Sequence, residues 1–227
     1  MKITRQCFEI EQISSNILEL IEKCGRVCYK SEDKITKGSA KKFIENILKR
    51  KHESVLEHGV MTIRFVISRA IANELVRHRL ASFSQESTRY VSSKNNFTCI
   101  LPVWFELPWP IDVELQCDDQ NQILRDFCTK HRQTKTFEEE YLWFQTMAEV
   151  ENRYAKFLSF GWRKEQARGV LPNDLKTEII ITANVREWRH IFKLRCAKGA
   201  HPQMREIMKN CLEEVQRKIP VLFDDIS

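Results

Sequence analysis

Between positions 77 and 90 the chain reads RHRLASFSQESTRY. Arg77, His78, Arg79 and Arg89 share this short segment with the hydroxyls of Ser84 and Ser87 and the carboxamide of Gln85. A guanidinium stays charged and can give two parallel hydrogen bonds to an oxyanion, so these residue types at this density suit a compact anion-binding loop. Arg-His-Arg alone would fit equally well as cations at the negative end of a helix dipole, worth a few tenths to about 1 kcal/mol. The hydroxyls and Arg89 that follow tip the reading towards a ligand, although spacing does not say which anion. None of the six glycines belongs to a G-x-G-x-x-G or Walker loop, so neither common backbone cradle for phosphate is present. Side chains must hold any phosphate, and Arg168, Arg186 and Arg195 extend the set of candidates.

Composition narrows the class. With 227 residues and 42% hydrophobic content the chain can bury a sizeable core and reads as one elaborated domain. Its apolar runs fall far short of the roughly 20 residues of a membrane helix. No continuous apolar stretch follows the basic start, MKITRQCFEIEQ, so a secretory signal is not expected and a cytoplasmic location is. The eight cysteines form no CxxC; reduced, structural thiols and no metal site are expected. A net charge of +6 favours anionic ligands without requiring a nucleic-acid duplex.

The elements that must position these residues follow from periodicity. Residues 2–10 can start a strand, and Ile17, Leu20, Ile21, Cys24 and Val27 fall on one helical face. A second helix follows Gly38 with Ser39 as N-cap and Phe43, Ile47 and Leu48 inward. Strict alternation of Met61, Ile63, Phe65 and Ile67 marks a strand. The next helix, striped by Ile71, Leu75 and Val76, delivers Arg-His-Arg at its end. Residues from about 103 to 136, rich in proline and then polar, read as a surface excursion that Trp104, Phe105 and Trp109 could anchor. A long amphipathic helix carrying Phe137, Tyr141, Phe144, Ala148, Tyr154 and Phe157 ends near Gly161; a short helix at 164–170 stops before Pro172. TEIIITA reads as a strand, Asn184 as the cap of VREWRHIFKLR, and QMREIMKNCLEEVQRK as a last helix. Strands and helices do not alternate regularly, which favours an α+β fold of mixed helices and a small sheet in one domain.

Arg77-His78-Arg79, seven intervening residues and Ser87 resemble the signature of flavin-dependent thymidylate synthases. Thr88-Arg89-Tyr90, 52-HESVLEH-58, 165-EQARGVLP-172, 184-NVREWRHIFKLR-195 and 201-HPQMRE-206 resemble the same family. The similarity spans most of residues 1–227 and is missing chiefly over 103–136. It implies reductive methylation of dUMP to dTMP, with FAD as cofactor, methylenetetrahydrofolate as carbon donor and NADPH as reductant. It also implies a homotetramer whose active sites are shared between subunits, with no need for membrane or nucleic acid.

Carried onto this sequence, the resemblance gives flavin contacts to Ser54, Arg77, His78, Arg79, Gln85, Asn184, Val185, Arg186 and His190. It gives dUMP contacts to Arg77, Gln85, Glu86, Ser87, Thr88, Arg89, Arg168 and Arg195, with Arg168 reaching the phosphate from another subunit. Arg195 is the catalytic assignment, a fixed cation stabilising negative charge that develops on the pyrimidine. His52, Glu74, Tyr90 and His201 are weaker matches. Ser87 is a substrate-binding hydroxyl rather than a nucleophile, because no histidine is fixed beside it as base, and the family's reaction needs no enzyme thiol. Three departures stand out. Glu74 replaces a common carboxamide, Ser84-Gln85-Glu86 replaces the frequent Asn-Glu-Gln, and the spacing from Lys198 to His201 differs. Structural roles compete at several positions: Arg186 with His190 as an i,i+4 pair, Arg168 with Glu165, and His52 as an ordinary helix-end histidine. The competing functions are a basic module for single-stranded nucleic acid, stacking on Trp104, Trp109 and Trp162, and a flavoprotein acting on another nucleotide.

Overall fold

The computed structural model describes residues 1–91, 97–112, 115, 122–132 and 134–227. In chain order the elements are β1 (Lys2–Thr4), β2 (Cys7–Ile13), α1 (Ile17–Val27), α2 (Ser39–Lys49), β3 (Val60–Ser68), α3 (Arg69–Leu75) and β4 (Ala81–Gln85). They continue with β5 (Thr98–Ile100), α4 (Gln122–His131), α5 (Lys135–Ser159) and α6 (Lys164–Ala167). The last are β6 (Lys176–Asn184), α7 (Val185–Arg195), α8 (Pro202–Lys218) and α9 (Pro220–Phe223). This is an α+β chain of mixed helices and small sheets. No helix among the described residues is long and apolar enough to cross a membrane. Two compact units gather these elements. One holds Met1–Cys7, Val66–Leu75 and Gln85–Ile179; the other holds Phe8–Phe65, Val76–Ser84 and Ile180–Ser227.

In the first unit β1 pairs in parallel with β5, Ile3 opposite Cys99. Ile3 and Cys99 join Phe97, Leu124, Phe127, Phe137, Phe144 and Leu175 in one buried cluster. The 25-residue α5 starts where the Thr134 side chain accepts a hydrogen bond from the Phe137 N–H at 3.1 Å, and it is followed by Gly161 at φ 87°, a left-handed turn that glycine tolerates without strain. The 103–136 segment is not confined to the surface, which corrects the expectation of a surface excursion. Trp109 is 4% exposed, its ring 4.5 Å from Phe127 and 5.4 Å from Phe144, and its indole N–H donates to the buried carboxylate of Glu140 at 2.7 Å. Glu140 supplies the acceptor that a buried indole requires, so this tryptophan is core rather than an exposed stacking platform. Cys117, Asp118 and Asp119 lie outside the described residues.

A four-stranded sheet, most of whose residues belong to the second unit, runs in the order β2-β3-β6-β4. The alternation in β3 buries Met61, Ile63, Phe65 and Ile67 completely. Phe65 lies 6.4 Å from the Trp188 ring of α7, and the Trp188 N–H donates to the Met61 carbonyl at 3.0 Å. This bond ties α7 to the sheet and so sets where its polar residues stand. Helix α1 turns differently from the expected stripe: Val27 is exposed while Glu22 and Gly25 are buried. Glu22 is satisfied there by Arg26 at 2.9 Å and by the Ser39 hydroxyl at 2.7 Å. Gly38, at φ 83°, occupies the N-cap position of α2 in place of Ser39. Three further differences concern the site. The N-terminal strand breaks at Arg5 and Gln6 into β1 and β2, α3 stops at Leu75 so that Val76 is exposed, and residues 81–85 form a strand rather than part of a loop.

Candidate functional site

Helix α7 positions one group of candidate residues, within the second unit. Asn184 stops β6 and caps the helix, its side-chain oxygen accepting from the Glu187 N–H at 2.8 Å. One turn in, the Glu187 carboxylate lies 3.5 Å from His78 Nδ1, with both side chains buried. On the other side of the imidazole, Arg195 Nε donates to His78 Nε2 at 3.0 Å. The His190 ring stands edge-on to His78 with centroids 5.7 Å apart. Burial first, then the charges of Arg195 and His190, pull the His78 pKa down to about 4. The imidazole is therefore neutral near pH 7, and because Nε2 accepts, its proton sits on Nδ1 and faces Glu187.

His78, Glu187 and His190 bring candidate ligand atoms within 4.8 Å of one another. As arranged, they do not make a metal centre. A cation on His78 Nδ1 would have to displace its proton while the guanidinium already engages Nε2, leaving an imidazolate. The order carboxylate, neutral imidazole, guanidinium suits a hydrogen-bonded relay.

Beside this relay is a cleft of about 600 Å³ lined by Glu53, Glu57, Leu80, Asn184, Arg186, Glu187, Arg189, His190 and Lys193. A second hollow of about 430 Å³, lined among others by Tyr29, Lys51, His52 and Ser54, shares Glu53 and Arg186 with it. Both fall in the size range of ligand pockets. Arg186, Lys193 and Lys51 supply cations suited to a pyrophosphate, and Glu53, Glu57 and Ser54 supply partners for sugar hydroxyls. The residues present thus fit a dinucleotide such as FAD.

The loop after β4 forms the other group. Gln85 donates to the Thr177 hydroxyl at 3.3 Å, and Arg69 reaches both that hydroxyl and the Glu86 carbonyl at 3.4 Å. The Glu86 N–H donates to the Glu178 carbonyl at 2.9 Å, extending the pairing towards β6. Ser87 turns the chain: its hydroxyl accepts from the Arg89 N–H at 3.3 Å and its carbonyl from the Val91 N–H at 2.9 Å. Lys164 fixes the Tyr90 carbonyl at 2.7 Å, and the exposed Arg89 lies over the Tyr90 ring. Burial lowers the Arg69 pKa, with Glu86 opposing that shift and Arg168 adding to it. Glu86 Oε2 is buried without a hydrogen-bond partner among the described residues, a polar atom that a ligand donor could satisfy.

The sequence profile of the family described as thymidylate synthase complementing protein matches residues 10–221. The chain belongs to the flavin-dependent thymidylate synthase family. It is an enzyme by that membership. It is 31% identical over 221 residues to a flavin-dependent thymidylate synthase of Corynebacterium aurimucosum, covering 96% of this chain and 83% of the relative. It is 33% identical over 215 residues to the Mycobacterium avium protein of the same name, covering 92% and 79%. Two solved structures share the fold. The Helicobacter pylori thymidylate synthase X with FAD and dUMP has a TM-score of 0.73 at 19% identity, covering 97% of this chain and 98% of that one. The Streptomyces cacaoi UMP/dUMP methylase PolB with 5-Br dUMP has a TM-score of 0.72 at 24% identity, covering 99% and 96%.

Within this flavin-dependent thymidylate synthase fold, several competing readings resolve. Arg186 pairs with Glu57 at 2.6 Å rather than packing on His190. Glu165 pairs with Arg163 at 2.8 Å, not with Arg168, which is exposed in the 3-10 turn Arg168–Val170. His52 is exposed, 3.4 Å from the Tyr29 hydroxyl. Arg77, Arg79 and Ser54 are exposed; Thr88 and Glu74 are half-buried. His201 is the N-cap of α8, its side chain accepting from the Gln203 N–H at 3.3 Å. The Val185 side chain is fully buried and its N–H donates to the Gly59 carbonyl at 2.8 Å. No cysteine among the described residues forms a disulfide, and burial raises the pKa of Cys99, Cys196 and Cys211. Sequence reasoning missed Glu187, Arg69, Thr177 and Glu57. Glu187 carried a signal, but Asn184-x-x-Glu187 reads as a capping box, whereas the structure aims that carboxylate at His78.

Proposed function

We propose that this chain makes thymidylate from dUMP by FAD-mediated reductive methylation, with methylenetetrahydrofolate as carbon donor and NADPH as reductant. In this reading it works in the cytoplasm as a homotetramer with shared active sites, as one functional domain over residues 1–227. The observation that carries the proposal is Arg195, held through Nε against a neutral His78 on the capped helix that also lines the dinucleotide-sized cleft. A guanidinium so held is preorganised to stabilise negative charge on a pyrimidine ring without reorienting as that charge develops.

Ser54, Arg77, His78, Arg79, Gln85, Asn184, Arg186 and His190 hold the flavin, which supplies hydride chemistry when bound. Arg77, Gln85, Glu86, Ser87, Thr88, Arg89 and Arg168 hold dUMP, with the arginines on its phosphate, and Arg195 faces the ring. Two tight turns at Ser87 present the Arg89 side chain outward, as a phosphate ligand requires. The Helicobacter pylori neighbour, solved with FAD and dUMP, supports this choice of ligands.

The test is product formation by purified protein under anaerobic conditions with FAD, NADPH, methylenetetrahydrofolate and dUMP, omitting one component at a time. Thymidylate should appear only in the complete mixture, and Arg195→Ala should abolish it while leaving flavin binding in place. Bound flavin without product would reject the substrate or reductant; a folded oligomer that takes up no flavin would reject the enzyme reading altogether.

A further inference from the structure

We propose that Glu187 is a positioning residue that sets the tautomer of His78 and, through it, the orientation of Arg195. The proposal rests on the reading that Arg195 acts on the pyrimidine. Glu187 is 7% exposed, and a carboxylate taken that far out of water needs a partner to offset its desolvation. Its N–H is occupied by the Asn184 cap, which holds the first turn of α7 in place. The carboxylate at that turn is directed to His78 Nδ1, 3.5 Å away.

The consequence for Arg195 follows from proton accounting. A neutral imidazole has one N–H and one lone pair, so a carboxylate facing Nδ1 favours the proton there and leaves the lone pair on Nε2. That lone pair accepts from Arg195 Nε at 3.0 Å. In the opposite tautomer an N–H would face the guanidinium N–H, and Nδ1 would turn a lone pair towards the carboxylate. Both contacts would become repulsive. His78 is too buried for water to replace either partner, being 6% exposed. The planar guanidinium, tied through Nε, is then held in one plane. In this scheme Glu187 acts through His78, as an orienting carboxylate does for other functional imidazoles.

The test compares wild type, Glu187→Gln and Glu187→Ala as purified flavoproteins, with nitrogen NMR of labelled histidine, flavin absorbance, and kcat and KM for dUMP. In wild type near neutral pH, His78 should show a protonated Nδ1 and a lone-pair Nε2. Glu187→Gln keeps an acceptor oxygen and should preserve both that signature and most of kcat. Glu187→Ala should mix the tautomers and lower kcat by roughly ten- to a hundredfold, the range carried by orienting partners, with flavin binding retained. An Nε2-protonated His78 in wild type would overturn the proposal, as would an alanine variant with an unchanged tautomer and kcat. Equal impairment of the glutamine and alanine variants would also overturn it, since charge rather than acceptor geometry would then matter. If Glu187→Ala does not fold, the wild-type and glutamine spectra still decide. Because the nitrogen signals are read without turnover, a wild type that makes no thymidylate would refute the proposed activity while the spectra still judged the relay.

Discussion

Acidification from about pH 7.5 to about pH 4.5 should cost the fold about 2.5 kcal/mol through His78 alone. The folded imidazole titrates at about 4 against an ordinary 6.5, chiefly because it is buried and then because Arg195 and His190 oppose a second charge. Above pH 6.5 the ring is neutral in both folded and unfolded chains, and the stability associated with its neutral burial is fully present. As pH falls below 6.5 the unfolded chain binds a proton that the folded chain does not, so each step down favours unfolding until about pH 4, where both states are protonated. The whole window corresponds to about 3.4 kcal/mol, of which roughly 2.5 is lost by pH 4.5. The control is His78→Gln, whose carboxamide oxygen can accept from Arg195 but does not titrate. Urea unfolding followed by tryptophan fluorescence would be run across this range at one protein concentration, because subunit association, where it occurs, makes apparent stability concentration-dependent. The difference between wild type and variant should shrink steadily between pH 6.5 and 4. Parallel curves, or an NMR midpoint for His78 near 6.5, would refute the reasoning and remove the basis for a neutral imidazole beside Arg195.

Two further outcomes follow from charges elsewhere. Asp225 grips the fully buried Arg189 with both oxygens, at 2.7 and 2.6 Å, and that pairing lowers its pKa below 3.8. Asp225→Asn should therefore destabilise the protein near pH 7 by about 1.5–3 kcal/mol, an effect that in wild type fades only below pH 3.8 as the carboxylate takes up its proton. An unchanged urea midpoint would mean that the pair does not pin the C-terminal segment. Arg89→Ala should weaken dUMP binding by about 1.5–3 kcal/mol, or roughly ten- to a hundredfold, with flavin uptake preserved. Calorimetric titration at fixed salt checks this, and equal affinity would take the phosphate away from Arg89.

Strand β3 was legible because burial on one face repeats every second residue, and Met61, Ile63, Phe65 and Ile67 carry that period. The long helix α5 and the Asn184 cap were legible for the same reason: turn-scale hydrogen bonds and apolar periods are written within a few adjacent residues. The motif from Arg77 to Ser87 and the segment from Asn184 to Arg195 named the candidate site without any coordinates. Burial of polar groups was not legible in this way. Trp109 reads as a loop aromatic until Glu140 is found to accept its indole N–H across 31 residues, and Glu187 reads as a capping acid until it faces His78. The bond from Arg195 to His78 joins positions 117 residues apart. Sequence by itself determined which side chains were available and on which local elements they ride. Tertiary structure decided which of them are desolvated together, and so which imidazole is neutral, where its proton lies and which arginine it holds, because these depend on long-range packing that no local period records.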